Sequence, residues 1–245
     1  MSRKRRIAAA FSAAAGTYET AAEAQARAAD ELARLVAAEP LPPHPRVLEL
    51  GCGTGLLTRR LLAAVSGGSL LASDVSPAMV EAARQGLDDP RLRFAVVDAE
   101  APGLAERSFD LVVSGFAAQW FTDLAGTLAG LARLVAPGGR LMLSMPGSGS
   151  FAEWRRAAGA DCGIPGYPDA AAVAAMLPGL RVVARPFTVT YADARAFLAT
   201  LKAIGAGTPA AGHRPLPPGR LRRIMAGLGA PCAITYDVLY LSWSP

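Results

Sequence analysis

Val47-Leu48-Glu49-Leu50-Gly51-Cys52-Gly53-Thr54-Gly55-Leu56-Leu57 carries an apolar strand through one acidic residue into a glycine-rich turn and the start of a helix. Glycines at 51, 53 and 55 remove Cβ atoms where the backbone turns sharply and let a ligand approach the main chain, while the following helix offers unpaired N–H groups. The stretch points to a nucleotide-like cofactor. A glycine triplet alone is a weak signal, so its weight depends on what surrounds it.

Strand and helix patterns alternate around this turn. Apolar strands are expected at 46–50, 69–73, 92–97, 109–114 and 139–145, with helices at 56–65, 77–86 and 124–135 and a turn at Pro137-Gly138-Gly139. This rhythm predicts an α/β fold, a doubly wound and mostly parallel sheet with helices on both faces. Residues 3–38 read as helices that end before Pro40, Pro42, Pro43 and Pro45. Beyond Pro146 the pattern predicts helices at 151–158, 169–177, 193–204 and 218–228 and strands at 180–190 and 233–243, which brings the sheet to seven strands. The Pro- and Gly-rich stretch 205–219 reads as a connection. One domain, 1–245, is expected: an N-terminal helical segment (1–44), a cofactor-binding core (45–146) and a substrate-side tail (147–245) whose helices cover the ligand crevice as a lid.

Composition narrows the class. With 52% hydrophobic and 18% charged residues the chain is too apolar for disorder, and no apolar run approaches the roughly 18 to 20 residues of a membrane span. Cys52, Cys162 and Cys232 are far apart and form no C-x-x-C pair, so neither a metal site nor a disulfide framework is expected, and a reducing, cytoplasmic setting is. His44 and His213 both lie beside prolines, leaving little material for a histidine-based catalyst. Arg3-Lys4-Arg5-Arg6 followed by an alanine-rich stretch superficially resembles a secretory signal, but Ile7, Phe11 and Tyr18 fit an amphipathic helix better. The net charge of +5 is concentrated in Arg3 to Arg6, Arg155-Arg156, and Arg220 with Arg222-Arg223. Such clusters suit an acidic partner or are simply solvated faces; the 7% aromatic content and absence of a binding motif argue against nucleic acid.

Ligands of doubly wound sheets bind beyond the carboxyl ends of the strands. Asp74 closes the second strand 19 residues past Gly55, near the spacing at which an acidic side chain accepts from ribose hydroxyls. Asp98 follows the third strand and Ser114 ends the fourth. Singly, Asp74 and Asp98 read equally well as helix-cap or loop residues; in register they favour a bound nucleoside. The dinucleotide fingerprint G-x-G-x-x-G is not met, because the spacing here is G-x-G-x-G, position 56 is Leu, and Glu49 stands two residues before the first glycine. A carboxylate beside the turn disfavours pyrophosphate and favours a cationic group.

The pattern Glu49-Leu50-Gly51-Cys52-Gly53-Thr54-Gly55 resembles motif I of the class I S-adenosylmethionine-dependent methyltransferases, over roughly residues 47–145. That resemblance implies a Rossmann-like sheet, Glu49 near the methionine amino group, Gly51, Gly53 and Gly55 along the cofactor, and Asp74 on the ribose. It further implies Met79 beside the adenine, Asp98 and Ala99 at the adenine edge, and Ser114 at the methionine end, although Met79 reads as well as plain core. Nearly the whole chain resembles the malonyl-[acyl-carrier protein] O-methyltransferase family of biotin synthesis. The carriers of this resemblance are Phe11-Ser12-Ala13-Ala14-Ala15-Gly16-Thr17-Tyr18 with Ala22 and Gln25, Ser114-Gly115-Phe116-Ala117-Ala118-Gln119-Trp120, Leu201-Lys202-Ala203-Ile204-Gly205-Ala206 and Thr235-Tyr236-Asp237-Val238.

The resemblance implies methyl transfer to the free carboxylate of malonyl-acyl carrier protein, with malonyl-coenzyme A as the alternative carrier and S-adenosylhomocysteine as the by-product. A carboxylate is already ionised at neutral pH, so no general base is needed, in keeping with two poorly placed histidines. Tyr18, Gln119 and Lys202 are the candidates for positioning the acceptor. Lys202 is one of two lysines in an arginine-rich chain, a compact point charge or a side chain snorkelling from a helix face. Other readings are a methyltransferase for another small carboxylate, such as an aconitate-like acid, or a non-catalytic basic module that binds cofactor or nucleic acid.

Overall fold

A computed structural model describes residues 22–159, 163–204 and 215–245. The expected N-terminal helix with Tyr18, and Cys162 and His213, lie outside these residues.

Seven strands form one sheet in the order β3-β2-β1-β4-β5-β7-β6. They are β1 (Arg46–Leu50), β2 (Ser69–Asp74), β3 (Leu92–Val96), β4 (Phe109–Gly115), β5 (Val135–Pro146), β6 (Arg181–Tyr191) and β7 (Cys232–Trp243). The first five run parallel, and β7 inserts antiparallel between β5 and β6. The described helices are α1 (Glu23–Ala37), α2 (Leu56–Ala64), α3 (Pro77–Gly86), α4 (Leu124–Leu134), α5 (Ala152–Ala158), α6 (Ala170–Ala174), α7 (Ala194–Ala203) and α8 (Pro218–Gly227). Four of them start on side-chain caps: Ser76, Asp123, Asp169 and Asp193 each accept from the backbone N–H three residues on.

Side-chain alternation along the central strands divides the core into two layers. Val47, Leu111, Val113 and Met142 face the layer that contains Leu32 of α1, Leu61 of α2 and Phe197 of α7. Leu48, Leu50, Val112, Leu141 and Leu143 face the layer built on Leu128 and Leu131 of α4 and Val173 of α6. Glu49 shares the parity of Val47, and this places its carboxylate on the α2 side, at the end of the strand where the glycine turn begins.

One boundary differs from the sequence expectation. Pro137-Gly138-Gly139 does not precede β5; it lies inside the strand as an irregular bulge, with Phe109 paired to Val135 and Leu111 to Arg140. Gly138 supplies the positive φ, 78°, that the bulge needs. Turn chemistry and bulge chemistry use the same residues, so sequence alone does not separate them.

Candidate functional site

The glycine turn is held by short main-chain bonds. The N–H of Cys52 donates to Ser73 O (2.9 Å) and that of Gly55 to Cys52 O (2.9 Å). The Gly53 N–H donates to Asp74 Oδ2 (3.0 Å), while Asp74 Oδ1 accepts from Ser76 N (2.8 Å). Asp74 therefore organises both the turn and the loop into α3, with the Val75 N–H as a further backbone donor to its carboxylate. Gly51, Gly53 and Gly55 all have positive φ, 74°, 55° and 91°. A Cβ at position 51 would lie 2.6 Å from Ala117 Cβ and one at position 55 would lie 2.5 Å from Leu87 Cδ1, whereas one at position 53 would meet nothing within 4 Å. Two of the glycines thus permit close packing, and the middle one faces open space.

Glu49 is fully buried, and its Oε2 accepts from Thr58 Oγ1 at 2.6 Å. Its Oε1 has no hydrogen-bond partner among the described residues, nor do Thr54 Oγ1 and Ser144 Oγ. Native interiors leave few buried polar atoms unpaired, so three around one turn mark a place for a polar ligand. Burial raises the Glu49 carboxyl to about 7, against the opposing bond from Thr58 and with help from the like charge of Asp74. Burial also raises Asp74, against the N–H groups that hold it, and pushes the Cys52 thiol well above its ordinary range. A cationic ligand group would relieve the two carboxylates.

A narrow gap of about 30 Å³ beside the turn is bordered by Gly51, Gly53, Gln25, Gly115, Phe116 and Ser144. Gln25 and Phe116 also line a cavity of about 540 Å³, so the two spaces adjoin. Aromatic rings dominate the larger cavity: Phe116, Trp120, Phe151, Trp154, Tyr167, Phe197 and Tyr236. Gln119 and Lys202, 83 positions apart in sequence, both line it. Gln119 Nε2 donates to Phe116 O at 2.7 Å, leaving Oε1 buried without a partner among the described residues. Lys202 is exposed in the last turn of α7.

Of the other sequence candidates, Met79 is buried in α3, with its N–H on the Ser76 cap. Asp98 and Ala99 are half-buried in the loop after β3, where Asp98 Oδ1 accepts from Glu100 N at 3.0 Å. Ser114 is buried and donates its hydroxyl to Leu50 O at 2.8 Å, tying β4 to β1. Sequence reasoning passed over Gln25 and Phe116 as site residues. Phe116 has φ 52°, a left-handed conformation costing about 1–3 kcal/mol for such a residue, and it sits where the two spaces meet. Phe151, at φ 59°, is a second such residue on the large cavity.

The methyltransferase domain family matches residues 47–139, the segment that carries the glycine turn. A malonyl-[acyl-carrier protein] O-methyltransferase from Magnetococcus marinus is 38% identical over 91% of this chain and 86% of its own length. The chain belongs to that family. A second malonyl-[acyl-carrier protein] O-methyltransferase, from Halorhodospira halophila, is 34% identical over 94% of this chain and 84% of its own length. The biotin biosynthesis bifunctional protein BioCD of Bordetella avium is 41% identical over 98% of this chain, which spans 52% of that longer protein. Solved structures agree on the fold: the YcgJ protein of Bacillus subtilis superposes with a TM-score of 0.62 at 18% identity, over 87% of this chain and 98% of its own. The arsenic(III) S-adenosylmethionine methyltransferase of Chlamydomonas reinhardtii superposes with a TM-score of 0.52 at 20% identity, over 84% of this chain and 65% of its own. The family resemblance read from the sequence and the family found by comparison are the same, and the Rossmann-like methyltransferase sheet accompanies it. Among the described residues, no group of metal-ligating side chains occurs and no helix is long and apolar enough to cross a membrane.

Proposed function

We propose that the protein methylates the free carboxylate of a malonyl thioester carried on acyl carrier protein, using S-adenosylmethionine, as an early cytoplasmic step of biotin synthesis. The observation that carries the cofactor half is Glu49 Oε1, a buried carboxylate oxygen without a partner among the described residues, beside a glycine turn that is open at Gly53. An ammonium fits that oxygen, and Asp74 has room to accept from a ribose hydroxyl beside it. Asp98 and Ala99 would lie at the adenine edge with Met79 beneath the ring. Ser114 would act through its place at the end of β4, since its hydroxyl is committed to Leu50 O. When bound, S-adenosylmethionine supplies an electrophilic methyl group on a sulfonium.

The chain's own task at the acceptor side is to orient an ionised carboxylate and keep water from it. Phe116 and Gln25 border both spaces, so an acceptor held in the large cavity lies next to the cofactor turn. Aromatic walls dehydrate the carboxylate, and alignment of the reacting atoms supplies much of the acceleration. Lys202 holds the negative charge through the oxygen that does not attack. The unpartnered atom of Gln119 is an acceptor, which repels a carboxylate oxygen and suits an N–H of the ligand. Gln119 is therefore assigned to an amide or ammonium hydrogen, and Lys202 to the carboxylate. Tyr18, outside the described residues, remains a candidate for the same pocket.

The test is a methyl-transfer assay with malonyl-, succinyl- and acetyl-loaded carrier. Methylation of the malonyl form is expected, and the acetyl form, with no free carboxylate, is the blank. Transfer to the succinyl form with none to the malonyl form would overturn the assignment.

A further inference from the structure

Arg155 and Arg156 are neighbours in sequence with opposite fates. Arg155 turns inward, donating from Nε to Ser150 O (3.1 Å) and from Nη2 to Pro165 O (2.8 Å), with its guanidinium 5.8 Å from the Tyr167 ring centre. Arg156 is exposed and opens into a cleft of about 510 Å³ between α5 and α8. On α8, positions 220, 223 and 227 recur at helical spacing and form one stripe, which lines the other side of that cleft. Arg220 fastens the two walls together, donating from Nη2 to Ala158 O at 3.0 Å. Arg223 is exposed and makes no hydrogen bond or ion pair among the described residues. The remaining lining is Ala157, Ala158, Gly159, Ile224 and Gly227, with no carboxylate among the described residues.

The same two helices wall the large cavity on their other faces, through Trp154 of α5 and Leu221 of α8. Anything seated on the arginine cleft is therefore about one helix diameter, roughly 10–12 Å, from the acceptor site. The small side chains leave a shallow floor suited to a protein surface, and among the described residues the cleft has no aromatic ring on which a base could stack. Guanidinium forks pair with carboxylates bidentately, and a one-sign patch steers an oppositely charged protein toward it.

We propose that the Arg156–Arg220–Arg223 cleft is the docking surface for the acidic carrier protein, holding it where its acyl arm can enter the adjoining cavity. This rests on the substrate reading above and adds to it where the partner sits. Members of two basic clusters that look separate in sequence, Arg156 of one and Arg220 and Arg223 of the other, meet on one surface.

Three proteins test it: wild type, the cleft variant R156E/R223E, and a charge-matched control, R181E/R222E. Arg181 and Arg222 are exposed and lie off the cleft, and Arg222 faces its own helix through Pro218 O. Arg220 is left intact because it joins the helices. Each protein is assayed on malonyl-loaded carrier and on phosphate-free malonyl-pantetheine, at low and high salt. The expected result is a loss of about tenfold or more in kcat/KM on the carrier for the cleft variant at low salt, shrinking as salt screens the attraction. The control should stay near wild type on the carrier, and all three should agree on malonyl-pantetheine. Equal losses in cleft and control variants, no loss in either, or a matching loss on malonyl-pantetheine would overturn the docking surface. Wild type inert on both malonyl thioesters would instead overturn the substrate assignment and with it the partner. Nucleic-acid binding lost in the cleft variant, with carrier kinetics unchanged, would assign the cleft to a different polyanion and also overturn the proposal.

Discussion

The two halves of the site are built in opposite ways. On the cofactor side, Glu49, the three glycines, Thr58 and Asp74 come from one β-α-β unit, and backbone N–H groups and carboxylates within it fix one another. On the proposed acceptor side the lining comes from α1, the turn after β4, α5, α7, α8 and β7, joined by ring contacts such as Phe151 with Tyr236 at 5.0 Å and Trp154 with Phe197 at 5.9 Å. Recognition of charge is local because strand ends and helix starts already supply oriented dipoles. Recognition of shape is not local, since a cavity of about 540 Å³ needs walls from several directions.

The comparison can be broken most forcefully at Phe197, which is fully buried and contacts Phe151, Trp154 and Tyr191. Phe197→Ala is expected to cost about 3–5 kcal/mol in a denaturant titration. A loss below about 1 kcal/mol would mean that the acceptor cavity is loosely lined rather than part of the core.

On the cofactor side, Glu49→Gln keeps the shape and removes the charge. Binding of S-adenosylhomocysteine, measured by calorimetry, should weaken by about 1.5–3 kcal/mol with an unchanged circular dichroism spectrum. Retained affinity would remove Glu49 from ammonium recognition.

Lys202→Met should separate the halves. We expect kcat/KM on malonyl-carrier to fall about 30-fold, in the range of a charged pair deprived of one partner, with S-adenosylhomocysteine affinity unchanged. Recovery of only part of the rate in Lys202→Arg would support a point charge over a planar fork, whereas a fully active methionine variant would make Lys202 a snorkelling surface residue.

The smallest effect per step is on pH. The Glu49 carboxyl is raised to about 7 in the folded protein, so in the ligand-free state it binds a proton that the unfolded chain has already released. Folding stability of the ligand-free protein therefore falls as pH rises through the interval between the ordinary carboxylate value and about 7. The ionised form is the one that grips an ammonium, so S-adenosylhomocysteine affinity should rise about tenfold per pH unit toward 7 and level off above it. The raised Asp74 adds in the same direction, and the Cys52 thiol stays neutral across this window. A flat pH profile, identical in wild type and Glu49→Gln, would detach the titration from the site.

Much of the fold can be read from the chain because its signals are short-range. Ser76-Pro77 opens α3 and Asp123, Asp169 and Asp193 open three further helices through their own side chains. Strand β1 matches its expected bounds because alternation and the glycine turn delimit it on both sides. The bulge at Pro137 to Gly139 could not be told from a turn, since its form depends on the partner strand β4. The insertion of β7 between β5 and β6 was equally invisible, because alternation states which faces are buried and not which edges meet.

Within the proposed site, the gathering of Glu49, the glycines and Asp74 at one turn was legible from their spacing, and the place of Phe116 beside it was not. Its left-handed φ and its position between two spaces arise from the path the chain takes after β4, for which a phenylalanine carries no signature. The sequence by itself determined the methyltransferase family, the parallel core and the carboxylates around the cofactor turn, because capping, alternation and glycine geometry act over a few residues. Only the tertiary structure decided that Gln119 and Lys202 share a cavity, that Gln119 presents an acceptor, and that Arg156 and Arg223 face one cleft while Arg155 does not. Those outcomes depend on how distant helices pack, and packing is settled by the whole core rather than by any local stretch.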